Sequence, residues 1–144
     1  MNYGVSVSTI FNIDPKTVFE ALCFLDNFPL WHIGMISVSK KGILKENMLY
    51  STQTIVLGQM NQSSVEVIRC EQYTTLELVN NAGIVKYHQL YKLISETQNQ
   101  TEVICMMQFD LRSIASDLAR PVIENMAETR VRGDMETLRS LLVA

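Results

Sequence analysis

The sequence predicts an α+β fold in which a curved antiparallel sheet wraps a long C-terminal helix. Three observations carry this reading. Two short helical segments follow a first strand, residues 36–111 read as strands joined by polar turns, and the C-terminal segment changes to a helical period. A length of 144 residues fits one domain spanning 1–144. A chain of that size buries roughly 70% of its unfolded surface, enough for a core without disulfide staples. With 47% hydrophobic and 19% charged residues, the composition is that of a globular protein and argues against disorder.

Residues 3–13 alternate, with Val5, Val7 and Phe11 on one face and Ser6, Ser8 and Asn12 on the other, the period of a half-buried strand. Asp14-Pro15 then starts a helix, Asp14 as N-cap and Pro15 at the first helical position. Val18, Phe19, Leu22, Phe24 and Leu25 give that helix its apolar face. Asp26-Asn27 breaks it, and Phe28-Pro29-Leu30-Trp31 forms a second short helical turn or a tight corner.

Six strands follow, at 36–39, 49–57, 65–70, 76–79, 84–94 and 102–111. Lys40-Lys41-Gly42, Gly58 with the polar run Gln59–Ser63, Tyr73-Thr74 and Ser95–Thr101 separate them. Asn80-Asn81-Ala82-Gly83 is the clearest hairpin turn, because Asn and Gly tolerate positive φ. A succession of hairpins implies an antiparallel meander, here seven-stranded with the first strand included.

Leu118, Val122, Met126, Val131, Met135, Leu138 and Leu142 recur at helical spacing. Pro121 fits best in the first turn of a helix that starts near Arg120; a short helix from Ser116 kinked at Pro121 is the alternative. Gly133 within it costs about 1 kcal/mol relative to Ala, and marks either a close approach by another element or chance. This helix is the only segment long enough to cover the apolar face of the sheet.

Net charge is −3 and no basic run occurs, so a phosphate backbone has no electrostatic footprint to bind, and nucleic acid is not an expected partner. Cys23, Cys70 and Cys105 are odd in number, form no CxxC and have apolar neighbours, the pattern of buried reduced thiols. The N-terminus lacks the basic start and apolar block of a signal peptide, and no stretch approaches the ~20 apolar residues of a membrane span. The expected location is cytoplasmic, without integral membrane association. No HExxH, HxH or clustered carboxylates supply metal ligands, so neither a metal nor another cofactor is expected.

Three stretches carry a resemblance. Phe11-Asn12-Ile13-Asp14-Pro15 enters Val18-Phe19-Glu20-Ala21-Leu22 and is followed by Asp26-Asn27-Phe28-Pro29-Leu30-Trp31. Thr101 opens the final strand, and Gly133-Asp134-Met135-Glu136-Thr137-Leu138-Arg139-Ser140-Leu141 closes the last helix. In these the chain resembles the START-like (SRPBCC) superfamily, the polyketide cyclase/dehydratase and lipid-transport group that includes the Bet v 1 allergens. The resemblance implies a helix-grip fold with an internal cavity, and binding or transport of a small hydrophobic molecule of the lipid, polyketide or isoprenoid class. A cyclase/dehydratase-like enzyme and a protein-interaction module, including a homodimer, are the alternatives that members of the group suggest.

Period two turns Val103, Cys105, Met107, Phe109 and Leu111 inward, opposite Val85, Tyr87, Gln89, Tyr91 and Leu93. Gln89, between two tyrosines on a buried face, needs a hydrogen-bond partner, either a tyrosine hydroxyl, a bound water or a ligand head group. The expected ligand-facing residues are therefore Trp31, Tyr87, Gln89, Tyr91, Met107, Met126 and Arg130, the last able to meet an acidic head group if it points inward. Trp31 first serves to cap the core. His32 follows it at the expected cavity mouth, where an exposed loop histidine is the ordinary reading. His88 falls with Lys86 and Lys92 on the outer face. Without paired carboxylates or an inward histidine, the residues suit recognition better than proton transfer.

Overall fold

The structure is a computed structural model that describes residues 2–56, 58–82, 86–110 and 120–142. Strand β1 (Asn2–Phe11) leads into helix α1 (Pro15–Cys23), a 3-10 turn at Leu25–Asn27 and the one-turn helix α2 (Phe28–Trp31). Strands β2 (Met35–Val38), β3 (Leu49–Val56), β4 (Gln59–Glu71), β5 (Thr75–Asn80), β6 (Lys86–Thr97) and β7 (Gln100–Asp110) follow, and helix α3 (Arg120–Leu142) is the last described element. The strands form one antiparallel sheet in the order β1-β7-β6-β5-β4-β3-β2. This is the helix-grip arrangement expected.

Local chemistry sets the first helix. Asp14, in an extended conformation, accepts hydrogen bonds from the Thr17 N–H at 3.0 Å and the Thr17 hydroxyl at 2.8 Å, which satisfies a free donor of the first turn. The same bonds, the hydroxyl's first, hold its carboxyl below the usual range. Val18, Phe19, Leu22 and Cys23 form the buried face. Register shifts in β2, β4 and β6 add an extra residue to one strand of each pair, which bends and twists the sheet. Val7, Phe11, Val65, Val67, Leu76 and Val103 point from the concave side into a core shared with Val131, Met135 and Leu138 of α3. Each such aliphatic or aromatic side chain contributes about 1.5–3 kcal/mol of burial.

Two turns are shorter than the sequence predicts. The polar run Gln59–Ser63, read as a turn, is the first part of β4 and pairs with β3 from Val56 to Thr52. Gly58 at φ +77° lets the chain reverse abruptly, and the inner face here carries Thr52, Thr54 and Ser63, buried hydroxyls that hydropathy does not flag as strand. Likewise β6 and β7 run on to Thr97 and Gln100, leaving Gln98 and Asn99 as the turn. Helix α3 is described from Arg120, with Pro121 its second described residue. The Ser116 alternative, Leu118, Leu111, Val85 and Gly83 lie outside the described residues.

Gly133 does mark a close approach: a Cβ there would lie 2.6 Å from Ile33 Cδ1. Thr101 is fully buried, and its hydroxyl donates to the Ile13 carbonyl at 2.8 Å, tying the start of β7 to the entry of α1.

Candidate functional site

The register of β6 against β7 pairs Tyr87 with Phe109, Gln89 with Met107, Tyr91 with Cys105 and Leu93 with Val103, the inward set that period two predicts. Tyr91 and Cys105 are buried; Tyr87, Gln89 and Met107 are half-buried. Gln89 Nε2 donates to the Tyr91 hydroxyl at 2.9 Å and to Cys105 Sγ at 3.3 Å. Its carbonyl Oε1 accepts from no described residue. Burial pushes the Tyr87 phenol up to about 12 and those of Tyr50 and Tyr91 well above their ordinary value. The Cys105 thiol is raised to about 12, also by burial. These groups are neutral hydrogen-bonding partners near pH 7, not bases.

A second constellation joins α3 to the connection between α2 and β2. Asp134 Oδ1 accepts from the Ile33 N–H at 2.7 Å, and Arg130 Nη2 donates to the Ile33 carbonyl at 2.5 Å. Residues four apart share a helix face, so α3 clasps both backbone groups of one residue. Asp134 is 8% exposed. Burial raises its carboxyl to about 7, against the opposing effects of the Ile33 N–H and the Arg130 guanidinium. It lies close enough to Tyr91 and Cys105 to raise both further. The sequence reading did not single out Asp134. Its signal was an acid within the stripe Val131, Met135, Leu138, one residue before Met135 and four before Leu138.

Trp31 is 2% exposed, edge-on to Phe28 with ring centroids 5.6 Å apart. It stacks on His32 at 3.6 Å, and its indole Nε1 has no hydrogen-bond partner among the described residues. His32 is not the exposed loop residue of the ordinary reading. Its ring packs against Phe28 and Trp31, its Nδ1 lies 3.0 Å from the Phe28 carbonyl, and burial lowers its pKa to about 3. The imidazole is therefore neutral. His88 lies on the outer face as expected, with Nε2 2.5 Å from Glu77 Oε2.

One expected wall residue, Met126, stands elsewhere. Met126 is 40% exposed and faces away from the sheet. Nine residues at 100° each put it half a turn from Met135, which is fully buried, so the i+4 series through Val122 and Met126 runs off the buried face. Ile123 and Ala127 pack against the core in its place. The Arg130 guanidinium donates through Nη2 to the Ile33 carbonyl, and its charge lies near enough to Tyr87 to act on that phenol. The structure thus brings Tyr87, Gln89, Tyr91 and Met107 together on one wall and leaves Met126 off it.

An open cleft of about 410 Å³ lies between β1 and α3, lined by Gly4, Val5 and Ser6 of β1 and by Pro121, Glu124, Asn125 and Glu128 of α3. None of the expected ligand-facing residues borders it. Among the described residues no three His, Cys, Asp or Glu side chains converge as a metal site, and no described helix is long and apolar enough to cross a membrane.

No protein-family model matches this sequence, and no curated protein matches it. Solved structures do match over nearly the whole chain. A START superfamily protein from Mycobacterium smegmatis superposes with a TM-score of 0.80 at 12% identity, covering 95% of this chain and 94% of the other. Zhui aromatase/cyclase from Streptomyces sp. R1128 gives 0.80 at 14% identity, covering 97% and 93%. Ara h 8.0201 gives 0.72 at 12% identity, covering 99% of both chains. At these identities the likeness is one of fold: the chain has the START-like helix-grip fold.

Proposed function

We propose that the chain binds a small, largely apolar molecule between the concave face of the sheet and α3, and holds it by a hydrogen bond from a ligand hydroxyl to Gln89 Oε1. The observation that carries this reading is the orientation of Gln89. Its amide nitrogen donates to both Tyr91 and Cys105 on the inner face, while no described residue donates to its carbonyl. An acceptor held in this way selects for a donor-bearing ligand, because an analogue without one leaves the carbonyl unpaired. The buried hydroxyl-bearing residues Thr52, Thr54 and Ser63 on β3 and β4 extend the polar part of the same face. This combination suits an amphiphile of the lipid, polyketide or isoprenoid class, and the fold shared with a START superfamily protein supports it.

The test is organic extraction of the purified, denatured protein followed by mass spectrometry of the extract, with the Gln89→Leu variant in parallel. The expected result is a released small molecule in near-stoichiometric amount from the wild type and less from the variant, whose affinity falls about 5–30-fold, since a lost buried hydrogen bond is worth about 1–2 kcal/mol. Extracts without a bound molecule, together with no saturable uptake of 1-decanol, would overturn the reading.

Acid–base chemistry on the bound molecule is the second reading, favoured by Asp134 alone. A carboxyl that ionises at about 7 beside the inner wall exchanges a proton near neutral pH. The fold is also that of the Zhui aromatase/cyclase. Incubation with a linear poly-β-ketone tests it. Cyclised product lost in Asp134→Asn with uptake retained supports catalysis, and product no faster than in buffer refutes it.

A further inference from the structure

We propose that Thr52, Thr54 and Ser63 form a second polar subsite on the inner face, and that the molecule bound there is an uncharged chain with a hydroxyl or carbonyl near each end. The inference rests on the reading that a ligand hydroxyl is held at Gln89, and adds where the other end of the molecule lies. Alternation along β3 and β4 turns the three side chains the same way as the core residues Tyr50 and Val65, and each is more than nine-tenths buried. Thr52 and Ser63 stand directly opposite one another in the β3–β4 ladder, which brings their Cβ atoms to about 5 Å, and Thr54 follows on the same face. None of the three hydroxyls has a hydrogen-bond partner among the described residues. A buried hydroxyl without a partner costs free energy, and three on one patch mark a place that a polar group covers.

The patch also has room. Among the described residues Trp31 Nε1 is the only buried side-chain nitrogen or oxygen that is both sealed from water and unpartnered. The three unpartnered hydroxyls are therefore not sealed, and each borders space that a polar atom can enter. Their ladder neighbours Met35, Val38 and Asn61 carry no charge, and hydroxyls donate and accept alike, which suits a neutral hydroxyl or carbonyl. The ladder also sets the separation from the first subsite. Gln89 pairs with Leu78, and Leu78 with Val67 on β4. Ser63 lies four residues from Val67 along that strand. Two strand spacings of about 4.8 Å and four steps of about 3.3 Å put Gln89 and Ser63 roughly 16 Å apart at the backbone, and less across a concave face. An extended chain of 1,12-dodecanediol bridges such a gap, whereas 1,6-hexanediol falls well short.

The experiment measures dissociation constants of the full chain for 1,12-dodecanediol and 1-dodecanol by isothermal titration calorimetry, in wild type and in a variant carrying Thr52→Val and Ser63→Ala. The two compounds differ in hydration, a difference that cancels when the ratio of their constants is compared between the two proteins. The expected result is that the diol's affinity relative to the alcohol falls about 5–30-fold in the variant, while 1-dodecanol, held at Gln89, binds both proteins alike. The ratio for 1,6-hexanediol and 1-hexanol does not change. Denaturant melts show the variant no less stable than wild type, because the hydroxyls it loses serve no partner within the chain. A dodecanediol ratio equal in the two proteins, with both compounds bound, overturns the subsite and leaves the Gln89 reading standing. Saturable binding of neither compound to wild type overturns that reading and the subsite with it.

Discussion

Asp134→Asn tests the buried carboxyl most sharply. In the folded chain this group ionises at about 7, against 3.8 for the free carboxyl, and burial is the main cause. A folded pKa raised above the unfolded one means that the unfolded chain gives up its proton first. The stability this group contributes is then greatest below pH 4, falls as pH rises toward 7, and levels off above it. A shift of about three units corresponds to on the order of 4 kcal/mol across that window. That is a large share of the 5–15 kcal/mol typical of a domain, and equivalent to roughly 10–15 °C in Tm. Asparagine keeps an oxygen for the Ile33 N–H and carries no charge, so the variant lacks this dependence. Urea unfolding of both proteins at intervals from pH 4 to pH 8 isolates the effect, because other titrating groups cancel in the difference. The stability of the variant relative to wild type rises through that range. A difference that stays constant with pH would show that Asp134 does not titrate in this way.

Other perturbations separate structural roles from ligand-facing ones. Thr101→Val removes the hydroxyl that serves the Ile13 carbonyl and lowers stability by about 1–3 kcal/mol in denaturant melts. Gly34→Ala puts a Cβ 2.7 Å from the Ile55 carbonyl oxygen at φ +77°, and costs about 2 kcal/mol or more by the same assay. Met135→Ala loses about 2–5 kcal/mol from the core, whereas Met126→Ala changes stability by less than about 0.5 kcal/mol. Equal losses at the two methionines would contradict the helix orientation described.

The legible parts of the sequence were those where one local signal decides the structure. Asp14-Pro15 capped α1 as read, alternation placed Gln89 inward and His88 outward, and Gly133 marked the approach of Ile33. The misread parts depend on non-local context. Gln59–Ser63 is strand because Gly58 turns tightly and β3 supplies a partner ladder, and neither shows in hydropathy. Met126 fell on the wrong face because steps of four drift about 40° each around a helix, and only contact with the sheet fixes which side is buried. Asp134 and Arg130 were obscured for a similar reason. Their partner is the backbone of Ile33, far away in the chain and invisible to any side-chain pattern. Burial of the His32 ring likewise follows from stacking on Trp31 and Phe28 rather than from its position in a loop.

The most direct test of ligand uptake at the inner wall uses methionine methyl groups as reporters in a ¹³C-methyl NMR titration with 1-decanol. Met107 lies on the inner wall and Met135 on the buried face of α3, while Met60 and Met126 are exposed outside. Uptake between sheet and helix predicts saturable shifts at Met107 and Met135 with Met60 and Met126 unmoved. Shifts confined to the outer pair, or still spectra at Met107 and Met135 under saturating alcohol, would contradict it.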